Sequence, residues 1–175
     1  MSETRRDRFT TIYEAHYHRI LGYARRRTDH ESADDAVAET FTIAWRRLDE
    51  MPAPAELLWL YGVARRVLAN QRRATVRRER LTRALGDEQQ VVHTRPEDTG
   101  VAAAFRALPG ADRELLSLVA WEDLSPKEVA AVVGISANAA RIRIHRARRR
   151  LARELADAEP ASPRPRVTLE LEDHA

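Results

Sequence analysis

The sequence predicts an all-α protein: two small helical domains joined by a flexible linker. Three observations carry this. Apolar residues recur at helical spacing through most of the 175 residues. No strand-like alternation of any length interrupts them. A polar, irregular run, GDEQQVVHTRPEDTG, divides the periodic segments into two groups. The expected boundaries are 5–84 for the first domain, 85–100 for the linker and 101–156 for the second domain. A disordered, proline-bearing tail is expected over 157–175.

In the first domain, Phe9, Ile12, Tyr13, Tyr17, Ile20, Leu21 and Ala24 keep helical spacing, which predicts a helix from about Arg5 to Arg27. The residues Thr28 to Glu31 read as a loop. Ser32 with Asp35 gives a helix start of the S-x-x-D kind. The second helix lines up Ala33, Val37, Phe41 (or Thr40), Ala44 and Leu48, and its acids lie near its N-terminus, where the helix dipole favours them. The prolines of MPAP, residues 51–54, break the chain. A third, long helix is expected from about Ala55 to Arg80, with Leu57, Leu60, Tyr61, Ala64 and Val67 or Leu68 inward and arginines over its far end. The second domain begins near Val101, turns at Leu108-Pro109-Gly110 and continues as ADRELLSLVAWED.

The next segment, LSPKEVAAVVGISANAARIRIHRARRRLAREL, has the form of a helix-turn-helix that inserts into DNA. Ser125, Pro126 and Glu128 fit N-cap, N1 and N3 of a capping box, with Leu124 and Val129 at the staple positions. Gly134 stands where a left-handed residue ends the first helix. Ser136 caps the second. In that second helix Ala140, Ile144, Ala147, Leu151 and Leu155 form one apolar stripe. Seven arginines lie between Arg141 and Arg153 with no acid among them. Asn138 and Arg141 are the candidates for base contacts, since Asn suits adenine and Arg suits guanine. The later arginines suit phosphate. The competing reading is a solvated basic helix on an ordinary bundle.

The net charge is only +3, but it is segregated. From Asp29 to Glu56 acids dominate; from Arg65 to Arg83 eight arginines face only Glu79. Two partners of opposite character are implied. The absence of cysteine excludes disulfides, thiol catalysis and Cys-based zinc sites. With no membrane-length apolar run and no signal-like start, membrane insertion is not expected and a cytoplasmic location is. None of the six histidines has metal-ligand spacing with a carboxylate, and no phosphate-binding or nucleophile motif is present. No enzymatic activity and no cofactor are expected.

Taken together, these residues resemble a small alternative bacterial sigma factor of the extracytoplasmic-function group, over about 9–83 and 101–155. SADDAVAETFTIAWRRL is similar to the region-two segment that docks on core RNA polymerase, and WLYGVARRVLANQRR to the adjoining segment that engages and opens the promoter. LSPKEVAAVVGIS…RIRIHRARRRL resembles the region-four helix-turn-helix. The resemblance implies docking on the clamp of the largest polymerase subunit through Asp34, Asp35 and Glu39, with Phe41 as apolar anchor or core; on the residues alone, the acids are equally a capped, solvated helix start. It implies downstream, minus-ten contacts from Tyr61, Arg65, Arg66, Asn70, Arg72 and Arg73, with Tyr61 open to a reading as a buried residue. It implies upstream, minus-thirty-five contacts from Ser136, Asn138, Ala139, Arg141, Ile142, Arg143, His145, Arg146 and Arg149. Arg66 and Asn70 depart from the common family pattern, as do Ala139, Ala140 and Ile142. Trp45 and Trp59 are expected in the core. Promoter DNA, core RNA polymerase (clamp and flap) and an anti-sigma factor are the expected partners. The alternative is a stand-alone helix-turn-helix regulator that binds a palindrome as a dimer.

Overall fold

The computed structural model describes residues 4–84 and 100–158. The expected linker, apart from Gly100, and the tail from 159 onward lie outside the described residues. Among the described residues there are seven α-helices, one 3-10 turn and no strand: α1 (Arg5–Arg25), α2 (His30–Arg46), the turn Leu48–Glu50, α3 (Glu56–Ala84), α4 (Val101–Ala107), α5 (Gly110–Ala120), α6 (Pro126–Val133) and α7 (Ala137–Ala158).

Each helix start has a chemical cause. Thr4 and Asp7 form a capping box on α1, with the Asp7 amide donating to Thr4 Oγ1 at 3.1 Å and the Thr4 amide to Asp7 Oδ2 at 3.2 Å. Helix α2 begins two residues before the expected Ser32, because Asp29 is the cap and accepts from the Ser32 amide at 2.9 Å. That bond holds the Asp29 carboxyl below its ordinary range. The Pro52 and Pro54 segment separates the 3-10 turn from α3, as the prolines require.

The first three helices pack mutually around Ile12, Ile20, Ala24, Val37, Phe41, Ala44, Leu48 and Leu60. Helix α3 is buried on more than the one expected stripe: Leu60, Tyr61, Val63, Ala64 and Val67 are all inaccessible. The reason is that α3 lies between two layers. Val63 and Val67 meet Ala36 of α2, while another side of α3 takes α6 of the second group. Gly62 lies against the Val132 carbonyl there. Consequently one continuous apolar cluster runs from α1–α3 into Leu115, Leu118, Leu124, Val129, Val132 and Ile144. The two helical groups are closed on each other. Behind them, Leu108, Leu116 and Ala147 hold α4 and α5 to α7.

Candidate nucleic-acid interface

The helix-turn-helix is assembled as its caps dictate. The Ser125 amide donates to Glu128 Oε2 at 2.8 Å and the Glu128 amide returns a bond to Ser125 Oγ at 3.4 Å. These hydrogen bonds hold the Glu128 carboxyl below its ordinary range. Gly134 takes the left-handed conformation, with φ 77° and ψ 42°, and ends α6. Ser136 Oγ accepts from the Ala139 amide at 3.2 Å and starts α7.

Helix α7 then has three faces. Ala140, Ile144 and Ala147 are buried, and Leu151 and Leu155 half-buried, against α4, α5 and α6. Asn138, Arg141, Ile142, His145 and Arg149 fall at helical spacing on the opposite, exposed side. This is the stripe a duplex groove can reach, with the small Ala137 and Ala139 at its N-terminus and Ser136 exposed at the corner. Arg143 and Arg146 are exposed but sit on a third flank, where with Arg150 they line a pocket shared with Arg65, Asp112 and Glu114. Arg150 is paired with Asp112.

The downstream candidates lie along α3. Arg66, Asn70, Arg72 and Arg73 are exposed, and Arg73 donates to Asn70 Oδ1 at 2.5 Å. Arg65 is half-buried. These arginines, together with Arg26, Arg27 and Arg113, line an open cleft of about 1130 Å³ between the two halves. Phe105 and Trp121, in edge contact at 5.3 Å, lie at the same cleft. Tyr61 is different: it is wholly buried, with its ring 5.1 Å from that of Tyr23.

On α2, Asp34, Asp35 and Glu39 are exposed, and Asp34 is 3.5 Å from Arg25. Phe41 is a core residue, 4 % exposed, with its ring 4.7 Å from Tyr13. The expectation for Trp45 needs correcting. It is 42 % exposed, in edge contact with Phe9 at 5.2 Å and beneath the Arg5 guanidinium at 5.4 Å. Trp59 is half-buried against the core, as expected.

A polar cluster joins the halves, and of its members the sequence singles out only Tyr61. Glu122, in the turn just after α5, is 4 % exposed. Arg26 reaches both of its oxygens, at 2.7 and 2.8 Å. Tyr61 donates to Oε2 at 3.2 Å, and Arg27 approaches Oε1 at 3.4 Å. Glu114 accepts from the Tyr23 hydroxyl at 2.7 Å and from Arg27 Nε at 2.9 Å. Burial first, and then the Glu114 carboxylate, push the Tyr23 phenol well above its ordinary range; burial and then Glu122 also raise that of Tyr61. Only the triple arginine of ARRRT hints at one side of this cluster, and it reads equally as a basic helix end.

Residues 12–78 match the family Sigma-70 region 2, and residues 100–151 match Sigma-70, region 4. The chain belongs to the sigma-70 family of RNA polymerase sigma factors. Within it, the relatives are of the extracytoplasmic-function group, and the chain is an alternative sigma factor that directs promoter-specific transcription initiation. RNA polymerase sigma factor YlaC of Bacillus subtilis is 29 % identical over 162 residues, covering 86 % of this chain and 93 % of that one. Sigma factor CnrH of Cupriavidus metallidurans is 34 % identical over 148 residues, covering 72 % and 75 %. Among solved structures, CnrH in complex with the cytosolic domain of CnrY superposes with a TM-score of 0.61 at 28 % identity, covering 90 % of this chain and 92 % of that one. RpoE in complex with the anti-sigma factor NepR from Bartonella quintana shares the fold, with a TM-score of 0.58 at 22 % identity over 87 % of this chain and 98 % of that one. Among the described residues, no helix of this sigma factor is long and apolar enough to cross a membrane.

Proposed function

We propose that the two halves of this sigma factor divide promoter recognition between them. Residues 5–84 form the unit that docks on the polymerase clamp and captures the minus-ten element; residues 101–156 form the unit that reads the minus-thirty-five element. The observation that carries the division is the exposed stripe Asn138, Arg141, Ile142, His145 and Arg149 on α7, set apart from the exposed arginines of α3. The first is shaped for a duplex groove. The second, a row of guanidiniums along an open cleft, suits a strand whose bases have been unpaired.

Within the stripe, Asn138 and Arg141 take the base edges, Ile142 meets a thymine methyl, and Ser136, His145 and Arg149 hold the backbone. Arg143 and Arg146 supply field at the flank. On α2, Asp34, Asp35 and Glu39 offer an exposed acidic edge to the polymerase clamp. The factor acts where the DNA is, in the cytoplasm, and performs no reaction itself. An anti-sigma factor is part of the proposal, in keeping with the solved complexes of CnrH with CnrY and RpoE with NepR.

The test is gel filtration with bacterial core RNA polymerase, then run-off transcription from a candidate promoter. Co-elution and new promoter-specific transcripts are expected. Arg149→Ala should lower the salt slope of promoter binding by about 1, whereas Arg141→Ala should cost about 1–3 kcal/mol and relax base preference. Failure to join core, with tight dimeric binding of the free protein to a palindrome, would favour the stand-alone regulator.

A further inference from the structure

We propose that the pocket between α3 and α7 is a binding site for a small oligophosphate anion, of the kind a free nucleotide carries, held by Arg65, Arg143 and Arg146. The site does not depend on the two-element reading above.

The charge balance of the pocket carries the proposal. Four arginines line it, Arg65, Arg143, Arg146 and Arg150, against two acids, Asp112 and Glu114. Both acids are already engaged. Asp112 pairs with Arg150, and Glu114 takes Arg27 and the Tyr23 hydroxyl. The guanidiniums of Arg65, Arg143 and Arg146 are left with no hydrogen-bond or ion-pair partner among the described residues. Arg143, Arg146 and Arg150 follow one another at helical spacing along one flank of α7, where like charges repel. Arg65 enters from α3 and is half-buried, so it has given up hydration without gaining a counter-charge. An anion in the pocket supplies what all three lack.

The shape and walls suit a small polyanion. The volume is about 370 Å³, within the range of small-ligand sites. Leu115 and Val133 form apolar wall, and excluding water there strengthens the attraction between charges. Ala111, in the first turn of α5, also lines the pocket; that helix has no side-chain cap, so its N-terminal dipole adds to the positive field. A guanidinium presents a planar pair of donors that matches a phosphate edge. Three of them around one concavity match several linked phosphates better than a single carboxylate. A duplex is too broad to enter a pocket of this size and meets the outward stripe of α7 instead. A bound anion neutralises Arg143 and Arg146, and so withdraws two guanidiniums from the flank of the DNA-facing helix.

Isothermal titration calorimetry of the full-length factor with inorganic tripolyphosphate tests the site. One saturable equivalent is expected. Arg65→Gln and Arg143→Gln should each weaken it about tenfold or more. Arg148→Gln removes the same charge from an exposed position of α7 outside the pocket, and should leave binding within about twofold of wild type. Arg143 and Arg148 are both exposed, so neither substitution threatens the fold. Absence of saturable binding to the wild-type protein would overturn the site. Equal weakening by all three variants would do so too, because it would describe a diffuse basic surface. Adenosine triphosphate and a short duplex lacking promoter sequence are then set in turn against bound tripolyphosphate. Displacement by adenosine triphosphate, lost in Arg65→Gln, is the result expected for a free ligand. Displacement by the duplex while adenosine triphosphate fails would assign these arginines to backbone phosphate and overturn the proposal.

Discussion

Tyr61 of α3 donates its hydroxyl to Glu122 at 3.2 Å, joining two residues that lie in different halves of the chain. Glu122 keeps the paired bonds from Arg26 when this one is lost, so Tyr61→Phe should cost only about 1 kcal/mol. Glu122→Ala leaves a buried phenol without its acceptor and Arg26 without its described counter-charge, while Arg27 keeps Glu114. Arg26, one-third exposed, recovers water readily, so the expected cost is about 1–3 kcal/mol. The double-mutant cycle should return a coupling near 1 kcal/mol by urea unfolding. Strict additivity would mean that the two groups do not interact in solution.

The turn that presents Glu122 has an unusual backbone. Asp123 is the only residue other than glycine with positive φ among the described residues, at 54°. Asp tolerates this region better than most side chains, yet glycine enters it freely. Asp123→Gly should therefore raise stability slightly, by about 0.5 kcal/mol after the added flexibility of the unfolded chain is counted. Gly134→Ala should do the reverse. At φ 77°, with nothing within 4 Å of an added Cβ, its cost is conformational strain alone, about 1 kcal/mol. Thermal unfolding of the two variants should shift Tm in opposite directions.

The features legible in the sequence are local. The capping box at Ser125, the corner at Gly134 and the inward stripe of α7 are each written within a few residues, and periodicity finds them. At the start of α2 two caps compete, and Asp29 prevails over Ser32 because its carboxylate reaches the Ser32 amide, making Ser32 part of the first turn. Periodicity misplaces Trp45 because the residue sits at the edge of its stripe, where the angle alone does not decide burial. The same spacing cannot choose between stacking and burial for Tyr61, since the deciding partner, Glu122, is 61 positions away. The interdomain cluster leaves no periodic trace. Its members look like ordinary surface charges until α6 is set on α3, and that packing is a property of the whole chain.

Alkaline pH should loosen the joint between the halves. The folded protein holds Tyr23 and Tyr61 neutral past their ordinary value of 10.0, through burial and the adjacent carboxylates. Because the folded state binds these protons more tightly than the unfolded one, their contribution is full below pH 10 and falls away as pH rises beyond it. The wild-type Tm should decline more steeply between about pH 9 and about pH 11 than that of Tyr23→Phe, which cannot ionise there. Parallel curves for the two proteins would show that Tyr23 is not linked to unfolding.

The acidic edge of α2 and the aromatic residue beneath it should behave differently in polymerase binding. Asp35 is exposed, with no hydrogen-bond or ion-pair partner among the described residues, whereas Phe41 is enclosed by Phe9, Tyr13 and Tyr17. Asp35→Arg should leave the unfolding midpoint within about 0.5 kcal/mol of wild type and still weaken assembly with core polymerase, since it reverses charge on a surface offered to a partner. Phe41→Ala should cost about 3–5 kcal/mol of stability by opening a cavity in the α1–α2 core. Any loss of assembly it causes then arises from the fold. Measuring both properties on both variants separates recognition from support. If Asp35→Arg assembles at wild-type affinity, the acidic edge is a solvated helix start, and the clamp is held by another surface.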